Sequence, residues 1–275
     1  MAKLAWDQTG QHLYETGTDH CVVYPAASDG TYPEGVAWNG VTGWTESPSG
    51  ADETALYADN IKYLSLRSAE EFGATLTAYT YPDEFAVLDG SAPIDGLSGV
   101  RIYQQARRSF GLAIRTLIGN DIDSNDHGYL LHLVYGLTAS PSERGYSTVN
   151  DSPEAIEFSW EMKSVPVNVT GYKPTSIVTI DSTKVSAAKL ADLEDIIYGT
   201  SAGDRYFVTD DTTVDSSKTY YELVNGTYTE VSNPEGNPHT LGYYEKKTLT
   251  DTTARLPLPD EVIGILKGTV NNIGG

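Results

Sequence analysis

The sequence is poor in cysteine and in positive charge. Cys21 is the one cysteine among 275 residues, so no disulfide can form within the chain and nothing indicates an oxidising compartment. Lysine and arginine number 18 against 38 aspartates and glutamates, which gives a formal net charge of −20. Wrapping DNA requires clustered cations that neutralise its phosphates, so this composition argues against that kind of binding. It is compatible with DNA that slides past a repulsive wall.

Long apolar runs are also missing. No stretch approaches the roughly 20 apolar residues of a membrane helix. The first residues are polar and lack the apolar core of a signal peptide. We therefore expect a soluble protein with no membrane partner, made and assembled in a cytoplasm.

The residue patterns of common active sites are absent from the sequence. It contains no H-E-x-x-H, no phosphate-binding loop and no G-x-S-x-G, and its five histidines are scattered. Glu70 and Glu71 are adjacent, so on a strand they point to opposite faces and cannot form a facing acid pair. We therefore predict that the protein is not an enzyme and has no catalytic residue and no cofactor.

One turn resembles a calcium loop and then departs from it. Asp121, Asp123 and Asn125 match the first three ligand positions of an EF-hand loop. Asp126 replaces the glycine that the sharp turn requires, and His132 stands where the bidentate glutamate belongs. We interpret this segment as an Asx-rich turn between strands and predict no metal site.

The sequence does show the alternation of apolar and polar residues that is typical of β-strands. Residues 61–67 and 72–80 alternate and are rich in β-branched and aromatic residues. Residues 68–71 join them, which predicts a long hairpin within residues 55–87. Pro82 lies just beyond the second strand, and proline cannot donate to a β-ladder.

A second hairpin and a half-buried strand follow. Residues 100–118 and 129–135 predict strands on either side of the Asx-rich turn, with 89–99 as a loop before them. Residues 156–162 show the clearest alternation in the chain, which indicates one buried face. The predicted core residues of one domain are Phe110, Ile114, Phe158 and Trp160.

Helical signals are few. Residues 186–198 predict a helix with an apolar stripe, and 83–88 and 259–266 predict shorter ones. Residues 1–20 are either a frayed terminus or, as we favour, an arm that packs on a neighbour. Residues 45–54 predict an exposed loop. The predicted fold is a mainly β sandwich or barrel with one packed α-helix.

The tyrosine-rich and threonine-rich residues 203–247 indicate a small inserted β module. Asn225-Gly226 lies between alternating segments and is a strong hairpin signal. Residues 206–208 and 242–244 could pair at the base of the module. The predicted domains are 1–202, a β-sandwich domain with an N-terminal arm; 203–247, the module on the outer surface; and 248–275, a segment that returns to the first domain.

Several segments, in the same order, resemble the major tail tube proteins of long non-contractile phage tails (siphophages), closest to those from Gram-positive hosts. The segments are 1–17, 36–40 (VAWNG), 46–50 (ESPSG), 57–60 (YADN), 68–74 (SAEEFGA), 78–85 (AYTYPDEF), 131–136 (LHLVYG), 150–156 (NDSPEAI) and 255–262 (RLPLPDEV). Together they span most of 1–202 and 251–266. No single segment is a chemical signature, so the specificity comes from their number and order.

The resemblance implies a structural virion protein of the phage tail, assembled in the host cytoplasm. Its subunits would form hexameric rings stacked into a tube around the tape-measure protein, in contact with the tail terminator and distal tail proteins. Long hairpins would form a shared inner β-barrel, which removes exposed sheet edges by closure. Double-stranded DNA would pass through the lumen without specific binding.

The resemblance also implies which residues carry assembly. The candidates for the lumen and the ring interface are Lys62, Leu64, Arg67, Glu70, Glu71, Thr75, Thr77 and Arg115. The candidates for the ring-stacking loop are Glu46, Ser47, Pro48, Asp52 and Glu53. An alternative function is a β-sandwich adhesin or carbohydrate-binding module on a virion or cell surface, with the tyrosine-rich insert as its binding face.

Overall fold

The computed structural model describes residue 4 and residues 6–148, 155–209 and 211–268. Residues 1–3, 5 and 150–154 of the segments that carry the resemblance lie outside this part of the chain. The strands are β1 (Tyr14–Pro25), β2 (Val36–Ala37), β3 (Val41–Glu46), β4 (Ser49–Gly50), β5 (Glu53–Ala58), β6 (Ile61–Arg67), β7 (Glu70–Glu71), β8 (Gly73–Ala78), β9 (Ser91–Ile94), β10 (Leu97–Tyr103), β11 (Phe110–Asn120), β12 (Ser124–Ala139), β13 (Phe158–Ser164), β14 (Ile177–Asp181), β15 (Gly203–Val208), β16 (Tyr220–Val224), β17 (Thr227–Glu230) and β18 (Tyr244–Leu249). The helices are α1 (Asp83–Leu88), α2 (Ala187–Tyr198) and α3 (Pro259–Lys267). The predicted mainly β class with a packed helix is confirmed.

One eight-stranded sheet organises the body. Its strand order is β2-β1-β11-β12-β13-β8-β3, and β14 also pairs with β12. Residues from both ends of this order, such as Val23 of β1 and Leu76 of β8, belong to a single core cluster. The sheet is therefore curled, and this cluster fills its concave side.

Aromatic rings close the concave side of the curled sheet. The ring of Phe85 on α1 lies 4.2 Å from that of Trp38, 5.2 Å from that of Trp160 and 5.6 Å from that of Phe110, measured between centroids. Trp160, Phe110 and Ile114 are fully buried here, whereas Phe158 is half-buried and packs against the cluster.

Helices α2 and α3 cover the convex side of β1, β11, β12 and β14. Alternation in β1 sends Val22 and Tyr24 to this side, where the Tyr24 hydroxyl donates to the carbonyl of Ile197 at 2.7 Å. Leu193 of α2 and Val262 of α3 complete the second core cluster. The sheet is therefore buried on both faces over this half of its width.

The predicted hairpin of 61–67 with 72–80 is wrong. β6 pairs with β5, while β8 pairs with β3 and β13. The chain reverses at Asp59-Asn60, where both residues have positive φ (49° and 64°), a conformation that aspartate and asparagine tolerate better than most residues. Residues 45–54, predicted as a loop, are largely strand because they pair with residues 66–75 in three successive antiparallel ladders.

Two other expectations need correction. Residues 89–99 are not a loop, because β9 and β10 form a hairpin around Asp95-Gly96. Residues 14–20 of the predicted N-terminal arm are part of the main sheet, since β1 begins at Tyr14 and pairs with β11. The second predicted hairpin is confirmed as β11 and β12, with a turn shorter than expected.

The tyrosine-rich segment forms its own four-stranded sheet, in the order β15-β18-β16-β17. The predicted Asn225-Gly226 hairpin is confirmed by the pairing of β16 with β17. The pairing predicted between 206–208 and 242–244 is shifted by two residues, because Tyr206 pairs with Lys246 and Val208 with Tyr244. The ladder continues to Gly203 and Leu249, so the two ends of the segment are neighbours. The division into three domains stays a prediction.

Candidate assembly surfaces

A β-ribbon runs from residue 41 to residue 78 and is the most unusual feature of the chain. β3 pairs with β8, β4 with β7 and β5 with β6, and across the three ladders the partners keep nearly one register, as in Glu46↔Ala74 and Glu53↔Arg67. The three pairs thus form one antiparallel ribbon. Its outer part, residues 47–72, which we call the arm, extends about 40 Å at roughly 3.3 Å per residue.

The arm has both faces exposed but is amphipathic. On one face Leu56 pairs with Leu64, beside Leu66, and these side chains are 42%, 38% and 54% exposed. On the other face Glu53 accepts hydrogen bonds from Lys62 Nζ and Ser65 Oγ. β5 and β6 pair only with each other within the described chain, so the outer edge of each is open.

All the lumen and stacking candidates except Arg115 lie on this one ribbon. Lys62, Leu64 and Arg67 lie on β6, and Glu70 and Glu71 form β7. The stacking candidates lie on the opposite strand or in its short breaks: Glu46, Ser47, Pro48, Asp52 and Glu53. Glu53 is 3.8 Å from Arg67 in an ion pair, so the two groups of candidates meet across the ladder.

Thr75 and Thr77 lie on a different surface. They alternate on β8 with the buried Ala74 and Leu76 and point to the opposite face of the sheet. Thr75 pairs there with Glu161 of β13. No described helix covers this part of the sheet, and its side chains are short or charged. We call it the uncovered face, and its members are Thr45, Thr75, Thr77, Ser159, Glu161 and Lys163.

Arg115 is engaged inside the subunit. Its Nε and Nη2 donate to the two carboxylate oxygens of Asp19 at 2.8 and 2.9 Å, and its guanidinium lies 4.5 Å from the centre of the Tyr129 ring. The hydrogen bond from Arg115 lowers the pKa of Asp19. Arg115 therefore joins β1 to β11 in the single chain.

The hairpin of β9 and β10 is a surface that sequence reasoning missed. Within the part of the chain that the structure describes, its strands pair only with each other, and Leu97, Val100 and Ile102 are 54%, 43% and 45% exposed. The hairpin is attached to α1 through the ion pair of Arg101 with Asp83 at 2.6 Å. The Asp-Gly pair at its turn was the available signal.

The Asx-rich turn binds the N-terminal segment. Asp121 accepts hydrogen bonds from the backbone N–H of Gly10 at 2.9 Å and of His12 at 3.4 Å, and Asp123 accepts from Asn120. The bond from Gly10 is the main reason that the pKa of Asp121 falls to about 2. The described residues contain no group of three or more metal-ligating side chains placed to hold a cation.

The tyrosine-rich sheet attaches to α2 by one face. Arg205 and Lys247 both contact the buried carboxylate of Asp195, with Arg205 Nη2 2.8 Å and Lys247 Nζ 2.9 Å from Oδ2. The other face carries tyrosines that pack on each other. The rings of Tyr206 and Tyr228 stack at 3.9 Å between centroids with 7° between their planes.

Comparisons with known proteins leave the family open. No family model matches the chain, and no curated protein matches it. One similar solved structure is a chain in a cryo-EM structure of an extracellular contractile injection system, the PVC sheath–tube complex in its extended state. The TM-score is 0.29 and the identity 10%, over 59% of this chain and 88% of that one. A TM-score this low carries no argument. Among the described residues, no helix has both the length and the apolar composition needed to cross a membrane.

Proposed function

We propose that this protein is a structural, non-enzymatic subunit that polymerises into a phage tail tube of the long, non-contractile type. In this proposal, hexameric rings stack around the tape-measure protein, and the tube conducts DNA during ejection. Tail terminator and distal tail proteins bind the two ends of the tube.

The single observation that carries this proposal is the arm. A two-stranded hairpin alone is marginally stable in water, and unpaired strand edges with apolar side chains promote association. This arm has both features, over about 40 Å. A partner that covers it in the assembled state accounts for its length and its leucines.

The uncovered face is the proposed wall of the lumen. It carries hydroxyl groups and the opposite charges of Glu161 and Lys163, while the chain as a whole has a net charge of −20. A hydroxyl-lined face on a net-negative subunit offers no cluster of cations to bind phosphates, so DNA would not adhere to it. The short side chains of Thr75 and Thr77 leave the bore open.

The alternative of a carbohydrate-binding module has one supporting observation, the tyrosines of the inserted sheet. A sugar stacks on a free aromatic face. Tyr206 and Tyr228 stack on each other, so one face of each ring is covered by the other ring. The ring of Tyr221 lies edge-on to that of Tyr206, with 5.1 Å between their centroids. This packing stabilises the sheet and favours a structural role for it.

Shortening the arm tests the proposal. The variant replaces residues 48–72 by Asn-Gly, which closes a two-residue hairpin between Ser47 and Gly73, where the N–H of Ser47 already donates to the carbonyl of Gly73 at 2.8 Å. We expect a folded monomer, because the arm contributes no residue to either core cluster apart from the half-buried Phe72 at its base.

Sedimentation velocity measures the outcome. The full chain should form fast-sedimenting polymers, and the shortened chain should sediment as a monomer with an unchanged near-UV circular dichroism spectrum. Polymers of equal size from both chains would refute the role of the arm. A full chain that stays monomeric at all concentrations would refute the tube.

A further inference from the structure

Two hairpins present apolar faces that no described residue of the chain covers. One is the leucine face of the arm, with Leu56, Leu64 and Leu66. The other is the exposed face of β9 and β10, with Val100 and Ile102. Each hairpin forms a separate two-stranded sheet, so no strand of one pairs with a strand of the other within the described chain.

The opposite face of each hairpin makes polar contacts within the subunit. In the arm, Glu53 engages Lys62 and Ser65. In the second hairpin, Ser91 Oγ donates to the carbonyl of Ala86 at 2.6 Å and holds β9 against α1. The apolar face of each hairpin makes no such polar contact, and we infer that it is the face a partner covers.

We propose that the leucine face of the arm of one copy packs on the exposed face of β9 and β10 of a second copy. This inference rests on the proposed self-assembly and names the surfaces that carry it. β9 has four residues, about 13 Å, and pairs with β10 across a bulge, so the acceptor face spans part of the seven-residue β6, about 23 Å.

The charges beside the two faces are also complementary. Asp52, Glu70 and Glu71 lie at the base of the arm and make no ion pair within the described chain. Arg107 and Arg108 follow β10, and Arg108 likewise makes no ion pair there. In a chain with a net charge of −20, copies repel each other unless positive side chains meet negative ones at the contact.

The geometry of this contact has a consequence for the assembly. The donor face and the acceptor face belong to different parts of the chain, so each copy gives one arm and receives another. Such a head-to-tail contact closes into a ring or continues as a helix. Pairing of two arms with each other would instead give a closed dimer.

Disulfide trapping between two single variants tests the proposal. Leu64→Cys and Ile102→Cys are made in separate full-length chains, one of them tagged, and are mixed before mild oxidation. Cys21 is buried, and burial raises the pKa of its thiol, so it does not compete. The matched control is Ser65→Cys, which is exposed on the opposite face of the same strand.

We expect a cross-link between the Leu64→Cys and Ile102→Cys chains and its loss when Ser65→Cys replaces Leu64→Cys. Leu66→Cys with Val100→Cys gives a second pair on the same faces, which guards against poor thiol geometry at the first. A cross-linked homodimer of Leu64→Cys alone would show pairing of two arms and overturn the proposal. Polymers that form without either hetero-cross-link would also overturn it and leave self-assembly standing. If the full-length chain forms no polymers, that result refutes the proposed function itself.

Discussion

Replacing Phe85 by alanine tests whether the aromatic cluster holds the curled sheet together. Phe85 is fully buried on α1 and contacts the rings of Trp38, Phe110 and Trp160, which come from separate parts of the sheet and its connections. Truncating a buried phenylalanine costs about 3–5 kcal/mol, depending on how far the site can collapse. Here α1 is held by the bond from Ser91 to Ala86, so we expect the upper half of that range.

The magnitude is large against the stability of a domain, which is typically about 5–15 kcal/mol. The loss of stability is measured by urea unfolding monitored through tryptophan fluorescence, because Trp38 and Trp160 lie in the cluster. Phe158→Ala is the matched control. Phe158 is half-buried on the same side of the sheet. We expect its truncation to cost about half as much stability, because hydrophobic stabilisation scales with the apolar area removed from water. Equal losses at the two positions, or a loss at Phe85 below about 1 kcal/mol, would refute the closure of the sheet by this cluster.

Two further predictions concern the N-terminal segment and the inserted sheet. The pKa of Asp121 is about 2, below its ordinary 3.8, so the hydrogen bond that its carboxylate accepts from the Gly10 amide is fully present above pH 3.8 and is lost as pH falls towards 2. The protection factor of the Gly10 amide, which is its exchange rate relative to that of an unfolded peptide at the same pH, should fall over that window, and Asp121→Asn should remove this change. Deleting residues 203–247 together with Asp195→Asn should leave a folded protein, because the ends of the segment are paired neighbours and Asp195 loses its cationic partners with it; loss of cooperative thermal unfolding would make the segment part of the main fold.

The strands were easier to predict from the sequence than their partners. Residues 61–67 were recognised as a strand because alternation is local. Their partner depends on where the chain turns, and residues 68–71 have the polarity of a turn while Asp59-Asn60 contains no glycine. The backbone of Asp59 and Asn60 decides the matter, since both adopt positive φ.

Turn signals also account for a second contrast. Asn225-Gly226 predicted its hairpin correctly, whereas residues 89–99 were predicted as a loop although Asp95-Gly96 is an equivalent signal. Among the candidate site residues, Lys62 and Glu70 both lie on the arm. Placing the turn correctly would have been enough to predict this shared location. The role of Arg115 depends on Asp19, 96 residues away in sequence, and no local pattern predicts such a pair.

Cryo-electron microscopy of the purified full-length protein tests the central claim most directly. The account predicts rings or tubes with a central channel, in which Thr75 and Thr77 face the channel and the arm of each subunit lies against a neighbour. Monodisperse single chains at every concentration would contradict self-assembly. A tube whose channel is lined by another surface, with Thr75 and Thr77 on its outside, would contradict the proposed wall of the lumen.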